Sequence, residues 1–306
     1  ILSQHSSLII ENNTIQRNLH GIYNQYTGSA AVRGNTLSNN SGYGLYDEFA
    51  GAQVPTNNTI TGNNHPIRVS FSSLPGVGDG NVISGNTFNH IEFSAGNLAR
   101  NLELSSDNVY YQVSGAATIN TGVSVRVQPG VIWKFGTGSY LTIAGAMNAT
   151  GTATSKIIFT SYRDDSVGGD TNGDGFSEGA AGDWSSLSYG STVIDFLTSL
   201  DHVEVRYGGA STAAIYQNSA NVAITNSVIR DSATAGIFLS SSSALIENND
   251  ISSVATTAIY SQHASTPQIL NNRLTGGVHH GIHTSYGTTP LIDGNVITGF
   301  DSWPIY

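Results

Sequence analysis

The strongest constraint on this chain is a six-residue unit of apolar, any, Asn-like, any, any, apolar that returns about every 23 residues. It reads LDHVEV (200–205), ITNSVI (224–229), IENNDI (246–251), ILNNRL (269–274) and IDGNVI (292–297), with steps of 24, 22, 23 and 23. A second mark, small residue then aliphatic, keeps the same period at Ala214-Ile215, Gly236-Ile237, Ala258-Ile259, Gly281-Ile282 and Pro304-Ile305. Two marks sharing one period define a repeating supersecondary unit that buries its apolar face only against its neighbours.

Short β-branched runs separated by Asn, Gly, Ser and Thr corners leave no room for helices of about 10–12 residues. Leucine-rich repeats have a similar period but need a Leu-rich consensus that is absent here. The expectation is an all-β chain, a right-handed parallel β-helix (β-solenoid) with about 22–24 residues and three short strands per coil. Inward aliphatics then stack on their equivalents about 4.8 Å away. The Asn-like column, Asn226, Asn248, Asn271 and Asn12, is read as an amide ladder at a bend, with His202 in the same column and Gly294 replacing Asn in the last coil.

A longer repeat overlies the coil period. IENNTI (10–15) matches IENNDI (246–251), Ile22-Tyr23 matches Ile259-Tyr260, and Asn58–Gly62 matches Asn295–Gly299, at an offset of about 237 residues. We therefore divide the chain into 1–100, the closing coils of one module, and 101–306, the following module with an acidic insertion at 162–184. Chain continuation beyond both ends, with copies or adjacent modules stacking end to end, is expected of strands left unpaired at an open end.

The charge balance narrows the partners. With 11 Lys+Arg against 21 Asp+Glu and a net charge of -10, the chain lacks the cationic groove that nucleic acid requires. Zero Cys excludes a disulfide scaffold and a thiolate zinc site. No apolar run approaches the ~18 residues of a membrane span, so no membrane insertion is expected.

The segment after residue 105 carries Pro129-Gly130-Val131, Lys134-Phe135, Asp164-Asp165-Ser166-Val167-Gly168-Gly169-Asp170-Thr171-Asn172-Gly173-Asp174-Gly175 and Gly182-Asp183-Trp184. This run resembles the opening of right-handed parallel β-helix modules in large secreted or cell-surface bacterial proteins. The resemblance spans about residues 105–306 and implies an extracellular location. Those relatives usually continue GDW with Gly-Gly-Ile, whereas here Ser185-Ser186-Leu187 follows.

Within the insertion, Asp170, Asn172 and Asp174 alternate before Gly175, as in the first half of a calcium loop, where hard oxygen ligands converge. The twelfth position is Ala181 rather than a bidentate Glu, so Asp164, Asp165, Glu178 or Asp183 must complete the set. The expected cofactor is a structural Ca²⁺ held among Asp164, Asp165, Asp170, Asn172, Asp174 and Glu178; the competing reading is a solvated acidic turn.

β-Helices include polysaccharide lyases and hydrolases, so catalysis requires a search. Asp201-His202-Glu204-Arg206-Tyr207 is the nearest constellation, with His202 and Arg206 as catalytic candidates. Strand alternation places His202, Glu204 and Arg206 on one face. The single acids of the regular coils, Asp47-Glu48 among them, offer no pair across a cleft. His279, His280 and His283 lie close together with His263 about one coil earlier, a set that a transition-metal site could use, the competing reading being exposed loop histidines. The sequence favours a structural or adhesive module of a cell-surface or filament-forming protein, with a polysaccharide lyase, glycoside hydrolase or carbohydrate-binding module as the alternative.

Overall fold

The computed structural model describes residues 1–25, 30–47, 53–107 and 109–306. Every strand pairing in its ladders is parallel, each strand bonding to its equivalent about one coil away, as in Ile224↔Ile246 and Ile246↔Ile269. The chain is a parallel β-helix, all-β as expected. It follows from the sequence because no run is long enough for a helix, while each aliphatic finds an aliphatic partner one period on.

Three walls enclose the core of the C-terminal half. One carries Leu104, Val127, Ala149, Leu200, Ile224, Ile246, Ile269 and Ile292 in register. The companion mark forms the second, from Leu187 through Ile215, Ile237 and Ile259 to Ile282. The third runs through Phe159, Val205, Ile229, Ile251, Leu274 and Ile297. Ile215, Ile224, Ile229, Ile237, Ile246 and Ile251 are all fully buried, and each such side chain contributes roughly 1.5–3 kcal/mol.

The corner chemistry corrects one expectation. Asn12, Asn226, Asn248 and Asn271 do not form the ladder. They hold left-handed backbone, with φ between 51° and 58°, and their side chains lie at the surface. His202 (φ 49°) and Gly294 (φ 67°) share that conformation. The ladder runs one residue later. Asn249 Oδ1 accepts the Ser227 N–H at 3.0 Å, and its Nδ2 donates to Ile224 O and Asn272 Oδ1; Asn272 repeats the pattern on Asn295. Asn13, Asn35, Asn58 and Asn81 form a second ladder, and Asn18, Asn40, Asn63 and Asn86 a third. The division of labour is physical: Asn tolerates left-handed φ at the exposed corner, and the buried neighbour satisfies turn backbone that water cannot reach.

The coils continue without interruption past residue 100, but the walls exchange roles there. Ile22, Leu45, Ile67 and Ile91 stack in one column that continues through Tyr111, Trp133 and Phe159. That column reaches Ile251, although the 237-residue repeat pairs Ile22 with Ile259. The cause lies in two long strands, His90–Leu98 and Tyr110–Ile119, whose register slips between Ser94 and Gly96. Tyr111–Val113 carries one wall upward, onto Trp133–Phe135, while Ala116–Ile119 carries another, onto Tyr140–Ile143. The wall of Ile15, Leu37 and Ile60 stops at the strand Val82–Ser84.

Replacing Asn249 by Ala leaves a buried N–H and a buried carbonyl without partners. We expect a loss of about 2–3 kcal/mol in urea unfolding, against about 1 kcal/mol for Asn248→Ala, which bears only the left-handed strain.

Candidate functional site

The acidic insertion leaves the solenoid after the strand Ile157–Ser161 and returns before Leu187–Tyr189. GDW is its foot. Trp184 is fully buried, stacks on Phe135 with ring centroids 4.3 Å apart, and donates its indole N–H to Arg206 O at 2.9 Å. The Asp183 carboxylate accepts from Ser161 Oγ (2.6 Å) and the Ala180 N–H (2.9 Å). Gly182 holds φ 84°, where a side chain would be strained.

Asp164 belongs to this foot. Its side chain is 1% exposed, accepts from Thr160 Oγ1 and Ser166, and forms a 2.9 Å ion pair with Arg206 that is not an aligned hydrogen bond. Three other carboxylates converge farther out: Asp165, Asp170 and Asp174 each offer an oxygen within 4.8 Å of the others. Asp170 also accepts the N–H groups of Gly173 (2.6 Å) and Gly175 (3.0 Å), while Asp165 Oδ2 accepts the Ser177 N–H (2.6 Å). Asp165 Oδ1 is buried without a hydrogen bond. Asn172 donates to Asp174 at 2.9 Å, and Glu178 is exposed, outside the three-carboxylate group.

The loop folds back over the outer face of one wall and covers Lys134, whose ammonium donates to Gly169 O at 2.6 Å. Burial pushes the Lys134 ammonium down to about 8, against the pull of Asp165, Asp164 and Asp170. Burial, aided by Asp170 and Asp165, raises the Tyr110 hydroxyl to about 12. Gly168 packs against both side chains. Beside them runs a polar and aromatic row that sequence reasoning missed. Glu92 pairs with Arg68 (2.8 Å) and accepts from the Tyr43 hydroxyl (2.7 Å); His65 stacks on Tyr43 and on Phe88, and His90 on Tyr110. Burial drives His90 down to about 3, so it is neutral. Apart from Tyr43 these residues fall where the period loosens, so the regular marks do not point to them. Their rings stack on one another along the wall.

The catalytic candidates are separated by their surroundings. His202 sits at a left-handed corner with Nδ1 3.1 Å from Asp201 Oδ1. That corner breaks the alternation: Glu204 and Arg206 face outward and Val203 and Val205 inward, but His202 is not in their row. Arg206 is 5% exposed and held by Asp164 and Glu204. Trp133 and Trp184 are core residues. His279, His280 and His283 form ring contacts rather than a converging ligand set among the described residues. Glu48 lies outside the described residues.

Residues 1–131 and 190–305 match the family described as right handed beta helix region, and the chain belongs to it. The unmatched stretch between them contains the whole acidic loop. No curated protein and no solved structure matches the chain.

Arg206→Met alone strands the Asp164 charge in the interior, and we expect a loss of about 3–5 kcal/mol in denaturant unfolding; Arg206→Met with Asp164→Leu recovers most of it. Lys134 supplies a pH test. Its folded pKa lies below its unfolded value, so above pH 8 this site binds more protons in the unfolded chain, and its contribution to stability rises with pH. Below the range in which the buried tyrosines, Tyr110 among them, begin to oppose it, the rise is expected to be lost in Lys134→Met, measured by urea unfolding at about pH 7.5, 8.3 and 9.

Proposed function

We propose that this chain is an extracellular structural or adhesive β-solenoid module of a cell-surface or filament-forming protein, with its acidic loop fixed by Ca²⁺. The observation that carries the reading is the internal use of the outer-wall charges. Arg68 is taken by Glu92, Arg206 by Asp164 and Glu204, Arg230 by Glu204 and Asp231, and Lys134 by the loop backbone. A lyase needs a base and a carboxylate-neutralising cation free to meet substrate; groups paired to each other hold a surface rigid instead.

Ca²⁺ at Asp165, Asp170 and Asp174 suits this role, since hard oxygen donors on a glycine-rich loop match that ion and the cluster is otherwise three like charges in close contact. Asp164, with its carboxylate committed to Arg206, is assigned to the foot; Asn172 and Glu178 remain the candidates to fill the remaining positions.

Calcium titrated against thermal unfolding is expected to raise Tm, the unfolding free energy gaining about 2.7 kcal/mol when the ion stands ~100-fold above Kd. Asp170→Ala with Asp174→Ala is expected to abolish the shift. An unchanged Tm for the parent chain disposes of the ion. A panel of acidic and neutral polysaccharides, read for binding and for reducing-end or unsaturated products, tests the enzyme alternative. Product release that disappears in His202→Ala would establish it.

A further inference from the structure

The strand Val82–Ser84 pairs with Thr59–Thr61 on one edge, and among the described residues no strand pairs with its other edge. This edge lies in the middle of the chain, where one wall stops while the others climb on. Val82 N–H bonds down to Asn58 O. In a parallel ladder alternate residues bond to alternate neighbours, so the N–H and C=O of Ile83 face the empty side.

Two stacked columns break at this level. Leu37 and Ile60 are fully buried by the rung above each, whereas Ile83, next in the column, is partly exposed and Val82 is 58% exposed. Asn13, Asn35 and Asn58 each donate a backbone N–H to the Asn Oδ1 one coil on; Asn81 is the last rung, and no described residue supplies the next oxygen. Among the described residues of the following coil none pairs with this edge, and Asp107, Val109 and Tyr111 line the far side of a cleft of about 330 Å³.

We propose that this cleft binds an extended segment of another polypeptide, which adds in parallel to the Ile83 edge as the missing rung. The vacant positions specify its chemistry. A side-chain oxygen, best an Asn, lies over the Asn81 N–H, and an aliphatic two residues later lies over Ile83, the spacing of Asn58 to Ile60 one coil below. Main-chain bonds supply affinity and the two side chains select the sequence. Asp107 at the rim and the net charge of -10 favour neutral or basic flanks.

The probe is an acetylated, amidated peptide of the sequence Pro-Thr-Asn-Asn-Thr-Ile-Thr-Gly, that of residues 55–62, added to the full chain and followed by amide NMR and hydrogen exchange. Saturable binding is expected, with the Asn81 and Ile83 amides gaining protection. The threonine after the peptide isoleucine donates to Ile83 O in this arrangement, so its N-methylation is expected to weaken binding at least tenfold, as is Ile→Asp in the peptide. Absence of binding at millimolar peptide overturns the proposal, as does full binding by the N-methylated form. Self-association of the chain that protects Ile83 without peptide assigns the edge to a second copy and equally overturns it.

Discussion

The structure depends on hydrogen bonds that run along the stack rather than within the coil. Each strand meets its own equivalent about 23 residues away, so the backbone of one coil is satisfied by the next, and side chains of like type are forced into contact. A column such as Ile215, Ile237, Ile259 and Ile282 is therefore a consequence of the bonding direction. An aliphatic on an aliphatic gains burial, and an Asn on an Asn gains a donor and an acceptor at once. A lone charge stacked on the same charge gains nothing, which explains why the chain is only 10% charged.

Several outer-wall charges come as opposite partners from successive coils. Arg68 and Glu92 are in register on adjacent strands, as are Arg33 and Glu11, and the carboxylate of Glu204 spans to Arg230. The acidic loop breaks this economy by bringing Asp164, Asp165 and Asp170 over a single lysine. Lys134 is correspondingly the most constrained cation of the wall: buried, bonded to Gly169 O, and shielded from solvent by the loop that its charge helps to hold. Loop and wall thus form one electrostatic unit, and the family match leaves that unit out on both sides.

Much of this was legible in the sequence because the period is short and strict. Hexamer and companion mark place the walls of residues 200–306 correctly, and Asp183-Trp184 marks the foot of the loop. The ladder was misplaced by one residue because Asn-Asn pairs such as Asn248-Asn249 give both positions the same letter. The discriminating signal lies in Gly34-Asn35, Gly80-Asn81 and Gly294-Asn295: glycine takes the left-handed corner, leaving the second residue as the buried rung. The exchange of walls was illegible because it depends on a register slip between Ser94 and Gly96, which neither residue announces alone. His65, His90 and Lys134 lie along the wall that stays in register through Ile67, Ile91, Tyr111 and Trp133, and the coils there depart from the regular 23-residue mark, so the strict period does not point to their contact.

The wall exchange also explains why the irregular features gather where they do. A three-walled coil that shifts its walls by one must end one sheet and split another. The sheet that ends leaves Ile83 partly uncovered; the one that splits needs the long strands His90–Leu98 and Tyr110–Ile119, whose outer faces carry His90 and Tyr110 beneath the acidic loop. Both lie within about two coils of each other. Regular coils are interchangeable and therefore poor places for a distinct site, whereas positions that break the local rule are where function is expected to concentrate. In this chain the break is a single topological event, and the open strand edge and the covered polar row are its two sides.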